Sequence, residues 1–446
     1  MTVDAVPEHA VPEDAVQDTC GCPHRSSEPS GPTRRSVLRA ALATGALTAV
    51  SVAAQEAMGV RYAFGATAPA YTGDVLVVLS LRGGFDGLSA VVPVADPDYL
   101  RLRPTVGIPA AQTIPLTRDF GLHPALAPLL PLWKAGSFGA VHAVGQADAS
   151  RSHFEAMAEM ERAAPSSALR TGWIDRAIGL RSRGTVFQAA QVGQTGASPA
   201  LLGPVPELAM RSVDGFALSG AWDDTQQALW TRALTTLHKG SRRSVGAPAT
   251  AALGALKTTA RLKKAGYTPS GGATYPAGSR LGDALRDVAR LIKAQAGLQV
   301  ACIDVGDWDM HVDMGTAGEG WMHDKLADLA SALAAFAADL GPGLDGVTVV
   351  TLSEFGRRVQ ENGSGGVDHG HGNAVLLLGG GVVGGTVHGR WPGLSKADLM
   401  DGDLAGAVDY RQLLAEILQK RCQLGSVADV FPGLSPAPLG VATPRS

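Results

Sequence analysis

The chain has 446 residues, of which 45% are hydrophobic, and its formal net charge at pH 7 is −3. This composition supplies a sizeable core and excludes a highly charged, disordered chain. The charge balance shows no overall basic excess, so no nucleic-acid partner is expected.

Residues 1–70 have the pattern of an export signal. Arg34 and Arg35 precede an apolar stretch, and a small-residue segment follows at 66–70. The apolar stretch has about 15 residues, fewer than the roughly 20 that span a bilayer. The pattern predicts a twin-arginine signal that is disordered or cleaved, with the twin-arginine translocase as partner. We therefore expect a secreted or cell-envelope (periplasmic) protein with no stable membrane span after cleavage, although a surface helix with a basic start stays an alternative.

Residues 71–446 alternate apolar strands with amphipathic helices. The continuous apolar run at 74–81 predicts a strand that is buried on both faces. The later predictions are, in chain order, helix 123–136, strand 137–145, helix 150–164, a helical insertion at about 205–280, helix 281–295, strand 298–306, helix 324–343, strand 346–353 and strand 373–381. This order predicts an α/β domain with a doubly wound, mostly parallel sheet, helices on both faces and a helical insertion.

Polar residues gather at the ends of these strands, where open α/β sheets bind their ligands. They are Arg82 and Asp86; Ser150, Ser152 and His153; Asp307, Asp309 and His311; Glu354 and Arg357; and, just before the last strand, Asp368, His369 and His371. Carboxylates together with imidazoles suit zinc, manganese or two-metal centres. The expected cofactor is therefore a divalent metal, with zinc, manganese, magnesium and calcium as candidates.

Several of these residues also have a purely structural interpretation. Ser152 begins an S-x-x-E capping box and is either a nucleophile or a helix cap. Glu354 either acts in the site or pairs with Arg357 in a buried salt bridge. Asp86 lies in RGGFDG, which is also the pattern of a tight turn.

The histidine-containing loops leave alternatives open as well. Asp309 and His311 belong either to a metal site or to a polar loop. His369 and His371 are two residues apart, so both could face one ion if the segment is extended. The pattern does not decide which of the two is the ligand.

Several segments together resemble a known family. They are TRRSVLR, LVVLSLRGGFDGLSAVV, SRSHFEAM, GDWDMH, TLSEFGRRVQENGSGGVDHGHGNAVLLLGGG and VDYRQLLAEIL. In the same order they are similar to exported bacterial proteins with the domain of unknown function 1501, over about 74–433. That family resembles a distant branch of the alkaline phosphatase and sulfatase superfamily. The resemblance implies a doubly wound α/β fold, a nucleophile at a helix N-terminus and one or two metals held by Asp and His.

Carried onto this sequence, the resemblance implies roles for individual residues. Ser152 would be the nucleophile, Asp307 or Asp309 with His311 would form one metal site, and Glu354 with His369 or His371 would supply later ligands. Asp86 and Asp368 are further candidate ligands, and Arg82 or Arg357 would hold an anionic group.

Two departures from the superfamily pattern stand out. Arg82 occupies the position of a metal-binding Asp, and Phe355 follows Glu354 where the superfamily usually has His. No Cys lies in a C-x-P-S-R arrangement, so a formylglycine sulfatase is not expected. One metal site is therefore altered or lost in this interpretation.

The leading hypothesis is an exported metal-dependent hydrolase, a phosphoesterase or sulfatase-like enzyme, that acts on phosphate or related ester bonds. Its substrate would be an anionic small molecule or a glycan. The alternative is a non-catalytic binding or cell-envelope assembly protein on a degenerate phosphatase-like scaffold.

Overall fold

A nine-stranded sheet organises residues 71–147, 150–181, 184–241 and 243–445, which a computed structural model of the chain describes. The predicted export signal lies outside these residues. The strands are β1 Val75–Leu81, β2 Val91–Val92, β3 Ile114–Pro115, β4 Gly121–Leu122, β5 Phe138–Gly145, β6 Ala189–Val192, β7 Leu208–Met210, β8 Val300–Val305, β9 Val347–Leu352, β10 Asn373–Gly379, β11 Val387–His388 and β12 Val408–Asp409. The helices are α1 Gly87–Ala90, α2 Tyr99–Leu102, α3 Leu130–Lys134, α4 His153–Arg162, α5 Trp173–Gly179, α6 Asp224–His238, α7 Arg243–Ala265, α8 Arg280–Lys293, α9 Trp321–Leu340 and α10 Tyr410–Lys420.

The order of the large sheet is β11-β5-β10-β9-β1-β8-β6-β7, with β12 also paired to β5. The run from β9 to β7 is parallel, whereas β10 is antiparallel to both of its neighbours. A small antiparallel sheet of β2, β4 and β3 lies apart from it. The predicted mostly parallel α/β sheet is confirmed.

Side chains of β1 alternate between two hydrophobic cores, one on each face of the sheet. Val77 and Leu79 pack in the core that contains α8 and α9. Leu76 and Val78 pack in the core that contains α4, α5 and α10. Since successive strand residues point to opposite faces, this alternation confirms helices on both faces and explains the unbroken apolar run.

The direction of β10 brings the candidate residues together. Asn373, its first residue, pairs with Val144 near the end of β5. The start of this antiparallel strand therefore lies at the edge where β1, β5, β8 and β9 end. Residues that precede β10 can consequently meet residues that follow the other strands.

Four strands of the large sheet were not predicted from the sequence: β6, β7, β11 and β12, of which the last two have two residues each. β6 and β7 have four and three residues, which is too short for a clear apolar run. β7 falls at the beginning of the 205–280 stretch, and helices α6 and α7 follow it. None of the helices in the described residues combines the length and apolar character needed to cross a membrane.

Candidate metal centre

Three imidazoles and one carboxylate converge at this edge of the sheet. His153 begins α4, Asp309 and His311 follow β8, and His369 precedes β10. The Nε2 atoms of His311 and His369 are 2.9 Å apart, and they lie 2.9 and 3.1 Å from Asp309 Oδ1. His153 Nε2 is 3.5 Å from Asp309 Oδ2. We call these four residues the cluster.

Each imidazole of the cluster uses its other nitrogen to contact an oxygen acceptor. Nδ1 of His153 is 2.7 Å from Glu354 Oε1, and Nδ1 of His311 is 3.0 Å from Asp368 Oδ1. Nδ1 of His369 is 2.8 Å from the carbonyl oxygen of Arg151. Because carboxylates and carbonyls accept hydrogen bonds, Nδ1 carries the proton in each ring. In the neutral rings the Nε2 lone pairs are therefore directed into the cluster.

This arrangement fits a bound metal ion. Lone pairs that face one another repel unless a proton or a cation lies between them. Ligand atoms at about 2.0–2.2 Å from one ion are roughly 3–3.5 Å apart, close to the separations in the cluster. His153 Nε2 is also buried without a hydrogen-bond partner, and His153, Asp309 and His369 form a group that could hold an ion.

Local electrostatics keep the donor atoms of the cluster available. Burial alone would raise the pKa of Asp309, but the hydrogen bond from Arg357 and the nearby positive charge outweigh it and lower that pKa to about 2. Burial lowers the pKa of His369 below its usual value, despite the hydrogen bonds that favour its charged form. At neutral pH the cluster therefore presents a charged carboxylate beside a neutral imidazole.

Arg357 holds Asp309 in place from below the surface. Its Nη2 donates to Asp309 Oδ1 at 2.7 Å, and the guanidinium is buried. The guanidinium also donates to four backbone carbonyls, from Nε to Gly84 (2.6 Å), from Nη1 to Val367 (2.9 Å) and from Nη2 to Trp308 (3.0 Å) and Gly83. The ion pair of Arg357 is thus with Asp309 and not with Glu354.

Glu354 lies behind His153 and connects it to the loop after β1. Its Oε1 accepts from the backbone N–H of Gly83 at 2.8 Å as well as from His153. Gly83 has φ +113°, and a Cβ there would lie 2.8 Å from the backbone nitrogen of Asp309. Glycine is therefore required for this loop to approach the cluster.

Arg82 is a fixed cation beside the cluster. Its Nε donates to Asp304 Oδ2 and its Nη2 to Glu161 Oε1, both at 2.7 Å. The side chain is 29% exposed. Sequence reasoning missed both acidic partners, although Asp304 is the only charged residue within the strand predicted at 298–306.

Asp86 is paired inside the protein. Arg103 binds it through two hydrogen bonds of 2.6 and 3.0 Å, and both side chains are buried. Burial disfavours the charged carboxylate, but the charge and hydrogen bonds of Arg103 outweigh it and lower the pKa of Asp86. Arg103 also donates to the carbonyls of Val359 and Arg358, so the pair anchors the segment after β9.

The remaining candidates occupy different surroundings. Asp307 is 82% exposed and lies 3.8 Å from Lys325. His371 is buried, and its Nε2 packs closely on Gly145 and Gly406. A Cβ added to Gly145 would lie 2.8 Å from that nitrogen, and a Cβ added to Gly406 would lie 2.6 Å from it. The structure thus places His369 in the cluster and His371 beneath it, against the end of β5.

Ser152 caps helix α4. Its Oγ accepts from the backbone N–H of Glu155 at a long 3.5 Å. Both sequence neighbours contribute to the cluster, Arg151 through its carbonyl and His153 through its ring. The sequence places His153 among the polar residues at strand ends, but the S-x-x-E pattern of Ser152 and Glu155 explains this segment as a helix start, so the pattern alone does not indicate a role for His153 in the cluster.

A cleft of about 1310 Å³ opens beside the cluster. His153, Asp309 and Glu354 line it together with Arg82 and the loop after β8. Phe154, which is 89% exposed, and Trp321, which is 38% exposed, lie on its walls. A ligand in this cleft would contact apolar rings and the cluster at the same time.

Comparison with known proteins finds a family match over part of the chain. Residues 288–429 match the family described as protein of unknown function (DUF1501). These residues include three of the four cluster residues. The resemblance predicted from the sequence is therefore confirmed over this region, and no curated protein matches the chain.

Solved structures give only distant likenesses. Alkaline phosphatase from the Antarctic bacterium TAB5 is 10% identical, with 69% of this chain and 92% of that chain covered and a TM-score of 0.28. A mutant of it with Mg bound has a TM-score of 0.29. Phosphonate monoester hydrolase of Agrobacterium radiobacter is 11% identical, with 68% of each chain covered and a TM-score of 0.23. Scores this low carry no argument about function.

Replacing Asp86 by Asn tests its structural role. Arg103 would keep its charge but lose its buried counter-ion, so we expect the free energy of unfolding to fall by about 3–5 kcal/mol. Urea unfolding followed by circular dichroism measures this change. The control is Arg101→Ala, which removes an exposed ion pair and should cost less than about 1 kcal/mol. Unchanged stability with lost metal binding would instead make Asp86 a ligand.

Metal titration tests the cluster directly. The protein should bind about one divalent ion, and His153→Ala or His369→Ala should weaken binding at least about 100-fold, because each removes a ligand. Glu354→Gln should weaken it about 10–100-fold, since it leaves the four cluster residues in place and changes the hydrogen bonds that Glu354 makes behind them, to His153 and Gly83. Calorimetry with zinc and elemental analysis are the measurements. The control is His388→Ala, which removes a ring that is hydrogen-bonded to the carbonyl of Val383; it should bind zinc as tightly as the wild type does. Equal losses of zinc affinity in all variants would contradict the assignment of the metal site to the cluster.

Proposed function

We propose that this chain is an exported, metal-dependent hydrolase of phosphate or related ester bonds. The observation that carries the proposal is the convergence of three imidazole nitrogens on Asp309, which lines a large cleft together with His153. Export through the twin-arginine translocase is inferred from the pattern at Arg34 and Arg35, and that route would carry the folded, metal-loaded protein.

The donor set indicates which metal the cluster would hold. Three imidazoles and one carboxylate suit zinc, manganese or another transition metal, whereas magnesium and calcium prefer oxygen ligands. Among the four divalent metals expected from the sequence, zinc and manganese are therefore favoured. A bound ion would supply the positive charge that polarises a phosphoryl or carbonyl oxygen.

The residues around the cluster would keep this site in one geometry. Arg357 fixes the carboxylate of Asp309, while Glu354, Asp368 and the carbonyl of Arg151 orient the three rings. Such acceptors behind metal-bound histidines set the tautomer and the direction of the lone pair. The cluster would need little rearrangement when substrate binds, which favours catalysis.

Ser152 is the proposed nucleophile. The backbone on either side of it is held by the contacts of Arg151 and His153 with the cluster. Its Oγ accepts only a long hydrogen bond from Glu155 N–H, so the hydroxyl retains a proton to donate and a lone pair for attack. At the N-terminus of α4, the helix dipole would also favour an anionic group that reacts there.

The cleft indicates the class of substrate. Arg82, held by Asp304 and Glu161 but partly exposed, lines the cleft and would contact an anionic group. The volume of about 1310 Å³ exceeds the roughly 300–1,000 Å³ of an ordinary small-molecule pocket. An anionic small molecule with a bulky leaving group, or a glycan carrying an ester, fits these dimensions.

A second candidate is a non-catalytic binding or cell-envelope assembly protein. The pairing of Arg82 with Asp304 and Glu161, and of Asp86 with Arg103, favours it. These ion pairs occupy the residues on the β1 side that a second metal would need. A single ion in the cluster could then have a structural role in a binding site and no catalytic role.

Hydrolysis assays separate the two candidates. Aryl phosphates, phosphonates, phosphodiesters and sulfates report cleavage by the colour of the released phenol. The purified protein should hydrolyse at least one of them, lose activity on chelation and regain it with zinc or manganese. A protein that binds its metal fully but cleaves none of these esters would favour the binding protein.

Two substitutions at one position test the nucleophile. Asn caps helices as well as Ser does, so Ser152→Asn keeps the start of α4 and removes the hydroxyl. We expect its kcat to fall about 1000-fold or more, as for loss of a covalent nucleophile, with metal binding unchanged. Ser152→Thr keeps both the cap and a hydroxyl and should retain measurable activity. Full activity in Ser152→Asn would assign the attack to water.

A further inference from the structure

Helices α6 and α7, which pack against each other, concentrate positive charge. Between residues 225 and 282 the sequence has nine Lys or Arg residues and no Asp or Glu, and two exposed acids, Asp223 and Asp224, precede this stretch at the start of α6. Seven of these cations are exposed in the described part of the chain, and none of the seven forms an ion pair there; they are Arg232, Lys239, Lys257, Arg261, Lys263, Lys264 and Arg280. The chain as a whole has a net charge of −3, so this charge is segregated.

The cations of α7 lie opposite its buried face. Ala255, Thr259 and Leu262 are buried against the body of the protein. Each buried residue is followed two positions later by a cation, namely Lys257, Arg261 and Lys264 in turn. Two positions correspond to about 200° around a helix of 3.6 residues per turn. The three cations therefore form a stripe on the side that faces solvent.

Helix α6 exposes apolar side chains beside these cations in the sequence. None of its residues is buried. Leu229 and Leu237 are 65% and 67% exposed, Trp230 is 40% exposed, and Trp222, just before the helix, is 86% exposed. At 100° per residue, Leu229, Leu237 and Trp230 fall within about 100° of one another on the helix surface. The two leucines of this stripe are therefore left largely uncovered in the described structure.

We propose that this helical hairpin, residues 222–264, docks on an anionic lipid bilayer. Exposed Trp and Leu insert at the level of the lipid headgroups, and unpaired Lys and Arg bind anionic headgroups. A soluble polyanion would use the cations but not the apolar stripe, and an apolar protein partner would not use a stripe of unpaired cations. The combination of the two identifies the bilayer surface as the partner. The contact is peripheral, since none of the described helices could cross a membrane.

Vesicle binding by the full chain tests this proposal. The probes are vesicles of equal parts phosphatidylglycerol and phosphatidylcholine, and vesicles of phosphatidylcholine alone. We expect binding to the anionic vesicles that weakens with salt, and much weaker binding to the neutral ones. Absence of binding to the anionic vesicles at low salt would overturn the proposal.

Matched variants assign the binding to the hairpin. Changing Lys257, Arg261, Lys263 and Lys264 to Gln should lower the partition coefficient at least about 100-fold, because each cation contributes about fivefold near an anionic surface. The control changes four exposed cations elsewhere, Arg118, Lys134, Arg390 and Lys396, to Gln; it has the same net charge and should stay within about threefold of the wild type. Equal losses in the two variants would overturn the assignment.

The apolar stripe has its own test. Leu229→Ser together with Leu237→Ser should lower binding to anionic vesicles at least about tenfold, since two exposed leucines no longer enter the lipid. Lipids with brominated acyl chains should quench tryptophan fluorescence, and Trp222→Phe should remove part of that quenching. Binding that is unaffected by both changes but is competed by a soluble polyanion would overturn the bilayer in favour of a polyanionic partner.

Discussion

The guanidinium of Arg357 is the contact on which the candidate site depends. It donates to backbone carbonyls in the loop after β1, in the loop after β8 and in the segment before β10, and it also binds Asp309. A buried guanidinium without acceptors would be costly, so these three segments must close around it for the protein to fold. The same closure brings Asp309 and His311 to His369. The site is therefore a consequence of satisfying one buried cation, and its geometry is as fixed as the core beneath it.

The polar groups form layers around this cation. Arg357 takes one oxygen of Asp309, the imidazoles face the same carboxylate, and a carboxylate or carbonyl lies behind each imidazole. The outer acceptors fix the tautomer of the imidazoles, because an acceptor at Nδ1 keeps the proton there and leaves Nε2 with its lone pair. Burial lowers the pKa of His369, which also favours the neutral ring with a free lone pair on Nε2. Four donor atoms therefore face one another with their lone pairs, an arrangement that a bound cation would stabilise.

The sequence predicted the parts of this site that depend on local pattern. The apolar runs of β1, β8 and β9 located the strand ends, and the rule that ligands bind there selected Asp309, His311 and His369. Local pattern could not say that β10 runs antiparallel, nor whether His369 or His371 faces the cluster, because both depend on how strands pair across the sheet. The ion-pair partners of Arg82 and Asp86 could not be predicted for the same reason. Glu161 and Arg103 belong to other helices or loops, and only the folded chain brings Glu161 to Arg82 and Arg103 to Asp86. The sequence did not single out His153, because its segment also fits a capping box, so the start of a helix explained the pattern without any contribution to the cluster.

Charged residues are distributed unevenly over the protein, which the nearly neutral net charge of −3 does not show. Near the cluster the acidic residues are largely committed to arginines, as in the pairs of Arg82 with Asp304 and Arg103 with Asp86. Beyond Asp224 at the start of α6 the opposite holds, since nine of the 38 Lys and Arg residues lie between 225 and 282 together with none of the 41 Asp and Glu residues. Paired charges hold a geometry and attract little from solution, whereas unpaired exposed charges contribute little to folding and generate a long-range field. The first arrangement suits a rigid reaction or binding site, and the second suits a surface that meets an anionic partner, so one nearly neutral chain supports both.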